Sequence, residues 1–200
     1  SSDVCSSDLS GTTAWFVAHS ALATNANLNL NNTDRAYTNS EVGGFGSGVI
    51  GGLTSSTFQC VAGTQAPANV ANINTSSATY VAYCFAAIAG YSAFGSYTGN
   101  GSADGPFIYT GFRPRYVLIK DTTNAGNWVV HDTSMTPYNV STIHLRPNSS
   151  SGDDTGTGEY IDILSNGFKI RGTGGNVNTS SDSYVYAAFA ESPFKNSLAR

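Results

Sequence analysis

Residues 74–86 read NTSSATYVAYCFA, and residues 178–190 read NTSSDSYVYAAFA. Eight of the thirteen paired positions are identical at an offset of 104 residues, so the chain carries an internal repeat. Each copy follows an Asn/Ser turn cluster and then runs through Tyr, Val and Phe. Its two alternating faces are both apolar, as in a strand buried inside a sandwich. The Ala content of the first copy would also suit a helix, but its partner runs into Pro193 and the β reading is preferred.

The repeat extends upstream. STFQC (56–60), with Leu53 ahead of it, aligns with NGFKI (166–170) and Leu164, and TAWFVAHS around Trp15 aligns with GNWVVHDT around Trp128. The order of a Trp strand, a Leu…Phe strand and a Tyr-Val…Phe strand is therefore kept twice. The fold class expected is all-β: two tandem β-sandwich lobes of jelly-roll or concanavalin-like type, over residues 11–91 and 92–200. Trp128 is preceded by two strand candidates, SYT and RYVLIK, whereas almost nothing precedes Trp15. Lobe 1 is thus expected to lack its N-terminal strands, with open edges that a longer chain or a neighbouring chain would supply. Residues 1–10, SSDVCSSDLS, duplicate SSD internally, share no pattern with the repeat and resemble a translated sequencing adapter; they are set aside as a non-domain tail.

Charged residues make up 11% of the chain and aromatics 12%, which separates it from disordered sequences and from ordinary globular domains, where charge approaches about a quarter. A net charge of −4 with nine Lys plus Arg leaves no footprint for nucleic acid. No apolar run is long enough for membrane insertion by a helix. Cys60 and Cys84 lie in apolar runs and are expected to be buried free thiols.

The run TYVAYCFAAIAGYSAFGSYTGNGSADGPFIYTGFRPRYVLIK, with the later LSNGFKIR and FAESPFKNSLAR, resembles a repeated β domain of unknown function at the C-terminal end of tailed-phage structural proteins, among them tail-fibre proteins. The resemblance implies a virion component at the particle surface, outside the cell, in contact with other virion proteins. It carries over no catalytic residue, metal ligand or cofactor. Surface fibres of β-rich lobes bury sheet edges in symmetric assemblies, so a homo-oligomer is expected, a trimer in the first instance.

Literal motifs for chemistry are weak. Gly46–Gly51 matches G-x-G-x-x-G but no βαβ unit follows, and a hairpin is expected there. His131, Asp132 and Ser134 resemble a triad on paper, yet neighbours on a strand point to opposite faces. Asp153, Asp154 and Glu159 could pair for sugar hydrolysis, though their Gly/Ser-rich setting reads as solvated loop. A shallow glycan site would instead use an aromatic platform flanked by polar loop residues. The candidates are Tyr138 in a loop, with Asp121, Asn124 and Asn127 in the loop leading into Trp128, whose repetition as Trp15 marks it as core. Three functions follow: a non-enzymatic tail-fibre or surface module touching host glycans, a purely structural decoration, or a polysaccharide-degrading spike.

Overall fold

The computed structural model describes residues 2–9, 14–38, 49–61, 73–74, 76–156 and 158–192. Its contacts divide the chain into Ser1–Ala86 and Ala87–Arg200, here lobe 1 and lobe 2, five residues ahead of the boundary that the repeat suggested. Apart from one four-residue helix the named elements are strands, paired antiparallel throughout, and the chain is an all-β sandwich protein. Among the described residues no helix is long and apolar enough to cross a membrane.

Lobe 1 holds β1 (Ser2–Asp8), β2 (Phe16–Ala18), β3 (Ala26–Asn29), β4 (Tyr37–Thr38), β5 (Val49–Gly51), β6 (Gln59–Val61) and β7 (Tyr80–Ala86). One sheet runs β4-β3-β2-β1-β7, and β5 pairs with β6. Val4, Phe16, Ala18, Tyr37, Val49, Ile50 and Ile73 form the core, so the segment set aside as a tail supplies both a strand and a core valine. Its Ser-rich composition conceals this because Val4 and Cys5 alone mark it as a strand. Gly46–Gly48 of the glycine motif lie outside the described residues, and Val49–Gly51 form one arm of the β5–β6 pair.

Lobe 2 holds β8 (Ser92–Thr98), β9 (Phe107–Tyr109), β10 (Pro114–Asp121), β11 (Val129–Asp132), β12 (Ile161–Leu164), β13 (Gly167–Ile170), α1 (Gly175–Asn178) and β14 (Ser183–Ala190). A four-stranded sheet, β11-β10-β14-β8, faces a three-stranded sheet, β12-β13-β9. Val117, Ile119, Tyr184, Tyr186 and Ala188 from the first meet Ile108, Ile161, Ile163, Phe168 and Ile170 from the second.

The repeat is kept in register. Val4 pairs with Cys84 and Ala18 where Val117 pairs with Ala188 and His131, so β1 takes the place of RYVLIK in β10. Counterparts of β8 and β9 are the strands not found in lobe 1 among the described residues. Ser77 and Ser181, equivalent by the offset of 104, both adopt left-handed backbone at φ 65° and 70°. A second shared device is a side-chain amide standing in for a strand. Asn27 Oδ1 accepts from the Ile50 N–H at 2.7 Å while its Nδ2 donates to Ile50 O at 2.8 Å. Asn139 does the same to Ile163 at 2.8 and 2.9 Å. Each amide satisfies both backbone groups of one residue and ties a loop or strand of one layer to the other.

The two exposed thiols correct the sequence reading. Cys60 and Cys84 are free but exposed, Cys60 although its neighbour Val61 packs against the lobe 1 core, whereas Ala188, the partner of Cys84 in the repeat, is wholly buried.

Candidate functional site

The loop between β10 and β11 and the segment after β11 leave opposite ends of one hairpin, since Ile119 pairs with Val129 and Tyr116 with Asp132. The four sequence candidates therefore do not form one site. Asp121, Asn124 and Asn127 stand at the first end and Tyr138 beyond the second.

Asp121 is buried and structural. Its Oδ1 accepts the N–H groups of Thr123 at 2.7 Å and Asn124 at 3.0 Å, which folds the loop back on its own first residue. Burial raises its pKa, with the Asp182 charge adding to the effect and the two N–H bonds opposing it. Asn124 donates to Asp182 Oδ2 at 2.9 Å. The Asn127 N–H donates to Asn176 Oδ1 at 2.7 Å, and its own Oδ1 accepts from Asn148 at 2.8 Å. These polar groups are spent on holding the loop, and Trp128 beneath it is 3% exposed, as its repetition implied.

Tyr138 is 83% exposed, and Asn139 beside it is clamped to Ile163 of β12, so the ring stands on a loop pinned at its base. The same end of lobe 2 carries two further exposed tyrosines. Tyr109, 68% exposed, ends β9 opposite Gly167. Tyr91, 36% exposed, precedes β8, and its carbonyl accepts from the Ala190 N–H at 2.8 Å. Arg113, just ahead of β10, has its Nε 2.6 Å from Glu191 and its Nη1 donating to Ile163 O at 3.3 Å. Arg115 contacts Ser134 and lies 3.7 Å from Asp132. Both arginines thus make charge-assisted contacts at the sandwich end rather than standing alone in solvent. The result is an end of lobe 2 that carries three tyrosines and two guanidinium groups, on loops and strand ends. Such a surface can stack on an apolar sugar face and donate to hydroxyls or anionic groups.

A denser polar cluster sits elsewhere in lobe 2. Segment 141–146 laces the edges of the two sheets: Ser141 bridges to Ile161 of β12 and Leu145 to Val130 of β11. Beneath it His144 Nε2 lies 2.7 Å from Glu159 Oε2, Arg146 bonds the same oxygen at 3.1 Å, and Asn176 donates to Glu159 Oε1. Arg146 also meets Asp154 at 2.9 Å. Burial works against ionisation of Glu159, but the hydrogen bonds from His144, Asn176 and Arg146 and the Arg146 charge prevail, and its pKa falls to about 2. His131 Nδ1 is 3.0 Å from Ser141 Oγ, and burial followed by the His144 charge lowers its pKa to about 3. Asp132 and Ser134 bond one another and Arg115 instead, so the paper triad is not assembled.

Glu159 is 1% exposed, which corrects its reading as a solvated loop carboxylate: a Gly/Ser-rich flank gave no sign that three donors converge on it. The cluster closes the open side of the sandwich. No group of three or more His, Cys, Asp or Glu is poised to hold a metal among the described residues.

No curated protein and no solved structure matches the chain. The family model described as a domain of unknown function, DUF7483, matches residues 4–193, a span that takes in most of β1 and both lobes, and the chain belongs to that family.

Proposed function

We propose that the protein is a non-enzymatic structural module of a phage virion, a tail-fibre or surface component whose second lobe touches host surface glycans through the rim of Tyr138, Tyr109 and Tyr91. The observation that supports the contact is Tyr138 at 83% exposure on a loop that Asn139 pins to β12. An exposed aromatic on a fixed base presents stacking area with little entropy to lose on binding. The virion setting rests on the resemblance of the GSYTGNG…DGPF…TGFRP run to the phage domain. Weak single contacts would gain strength from repeated display on one particle.

The spike reading receives no comparable support. Of its three carboxylates, Glu159 is buried in an ion pair and Asp154 is bonded to Arg146. The test is binding of the whole chain, displayed as a multimer, to a bacterial glycan array, with Tyr138→Ala alongside. Binding that is lost in the variant supports the reading. Silence of the folded multimer across the array, or binding indifferent to Tyr138→Ala and Tyr109→Ala, would replace it with the purely structural role in the virion.

A further inference from the structure

The two copies of the loop that follows the Trp strand share their anchors and differ in what they enclose. His19 Nδ1 accepts the Ala21 N–H at 3.0 Å, as Asp132 Oδ1 accepts the Ser134 N–H at 2.7 Å, so both loops leave their strand through the same kind of bend. Both then reach the amide that clamps a strand of the other layer, Asn27 on Ile50 and Asn139 on Ile163. Counted from those anchors, Asn25 and Gly51 hold the places of Pro137 and Leu164. The connection beyond Gly51 is also longer, residues 52–58 against 165–166.

Where these differences meet, lobe 1 holds a cavity of about 260 Å³. Gly51 lets the loop close in on β5, because a Cβ there would collide with Asn25 Oδ1. Asn25 itself has left-handed backbone at φ 58°, which Asn adopts more readily than most residues. Leu53, in the longer connection, forms part of the wall. That connection is tied by bonds of its own, from the Thr54 N–H to Thr57 O and from the Thr57 N–H to Thr54 Oγ1, each at 2.9 Å. On the other side the Ser20 N–H donates to Asp3 of β1. The walls are thus fixed before any ligand arrives, as in most small-molecule sites.

The lining is amphipathic. Ile50 and Leu53 give it apolar surface, Ser20, Thr24 and Asn25 bring two hydroxyls and an amide, and among the described residues that line it there is no Lys, Arg, Asp or Glu. An anionic ligand would find no cation to pair with there, and a cationic ligand no carboxylate. A carbon ring bearing hydroxyls matches both parts of the lining, since hydroxyl and amide groups donate and accept in equal measure. The volume lies below the roughly 300–1,000 Å³ of drug-sized sites and suits one ring. We infer that this cavity binds a single neutral sugar ring, as a free monosaccharide or as the terminal residue of a glycan, through Ser20, Thr24 and Asn25. The site stands on lobe 1 alone and needs none of the lobe 2 tyrosines.

The test titrates the isotope-labelled full chain with free glucose, galactose, mannose, rhamnose and N-acetylglucosamine, and reads backbone amide shifts by NMR. At least one sugar is expected to give saturable shifts at residues 18–26 and 50–53, with a Kd on the order of 1–10 mM, as so small a ligand allows. Asn25→Gly keeps the left-handed backbone without the amide, and Thr24→Val keeps the shape without the hydroxyl. Each should weaken binding about tenfold, the effect of one lost hydrogen bond, while Tyr138→Ala leaves it unchanged. No saturable shift at these residues with any of the sugars would overturn the inference, as would equal affinity in the wild type and both lobe 1 variants. Shifts at the same residues with inorganic phosphate or acetate but with no sugar would assign the cavity to anions instead. Sugar shifts confined to lobe 2 and lost in Tyr138→Ala would remove the lobe 1 site and leave the lobe 2 contact standing.

Discussion

His144 Nε2 lies 2.7 Å from Glu159 Oε2, and neither side chain is more than 1% exposed. The pair joins segment 141–146, which laces β11 to β12, to the stretch just ahead of β12, so it fastens the open side of the lobe 2 sandwich. Replacing Glu159 with Ala leaves His144, Arg146 and Asn176 facing a void. Breaking a buried pair in this way costs about 3–5 kcal/mol. Glu159→Ala is expected to lower the lobe 2 unfolding midpoint in urea far more than Asp153→Ala, which removes an exposed carboxylate. Equal midpoints for the two variants would show that the pair holds nothing together.

The same cluster sets an acid limit. His131 binds its proton only near pH 3, whereas an unfolded histidine binds one near 6.5, so between these values the unfolded chain takes up protons that the folded one refuses. Stability is then fully present above about pH 6.5 and falls as pH drops, by up to about 1.4 kcal/mol per pH unit. Glu159, depressed to about 2 from 4.5, adds a further loss below pH 4.5. Thermal melts from pH 7.5 to 4 should show a falling midpoint, and the part between 6.5 and 4.5 should flatten in His131→Asn. A midpoint unchanged from pH 7 to 5 in the unaltered protein would refute the assignment of a neutral buried His131.

Much of the fold was legible because the repeat spells it out. The Tyr-Val…Phe strand, the Trp strand and the Leu…Phe strand recur in order, and β-rich runs between turn residues leave little alternative. The failures have physical causes. Ser2–Asp8 pairs through its backbone, so its serines gave no strand signal, although its partners on both sides are fixed by register. Cys84 lies in an apolar run, but an apolar strand is buried only where neighbours cover it, and Cys84 is exposed on β7, which ends its sheet among the described residues. Asn27 and Asn139 each serve as one rung of a ladder to a residue 23 or 24 positions away, a role that an Asn-rich composition does not signal. The polar candidates at 121–127 were real features of one loop. Their role was to hold that loop, and only Tyr138 stands clear of the lobe's own hydrogen bonding in the way that a contact residue must.

Exposure also orders the thiols. Cys84 and Cys60 are exposed, while Cys5 lies half-buried on β1, between β2 and β7, with burial pushing its thiol up to about 11. Burial raises Cys60 as well. Because the thiolate is the reacting species, a rise of about two units removes roughly a hundredfold of reactivity at neutral pH. Alkylation of the native protein with iodoacetamide, read by peptide mass mapping, is expected to modify Cys84 and Cys60 well before Cys5. Modification of Cys5 first would mean that β1 does not stay paired with β2 and β7 in solution.

The two left-handed serines give a test of the repeat itself. Ser77 and Ser181 hold φ of 65° and 70° at the same point of the NTSS turn, just ahead of β7 and β14. A β-branched residue tolerates that backbone poorly, and the left-handed region costs an L-residue about 1–2 kcal/mol. Serine already bears that cost, and β-branching adds to it, so Ser181→Val is expected to destabilise lobe 2 and Ser77→Val to destabilise lobe 1. Glycine removes the steric penalty, so Ser181→Gly and Ser77→Gly should be neutral or mildly stabilising. Matched effects at the two sites, read from urea unfolding of the whole chain, would show that both copies fold through one turn geometry. A Val substitution tolerated at one site and costly at the other would show that the turn has diverged between the lobes despite its shared sequence.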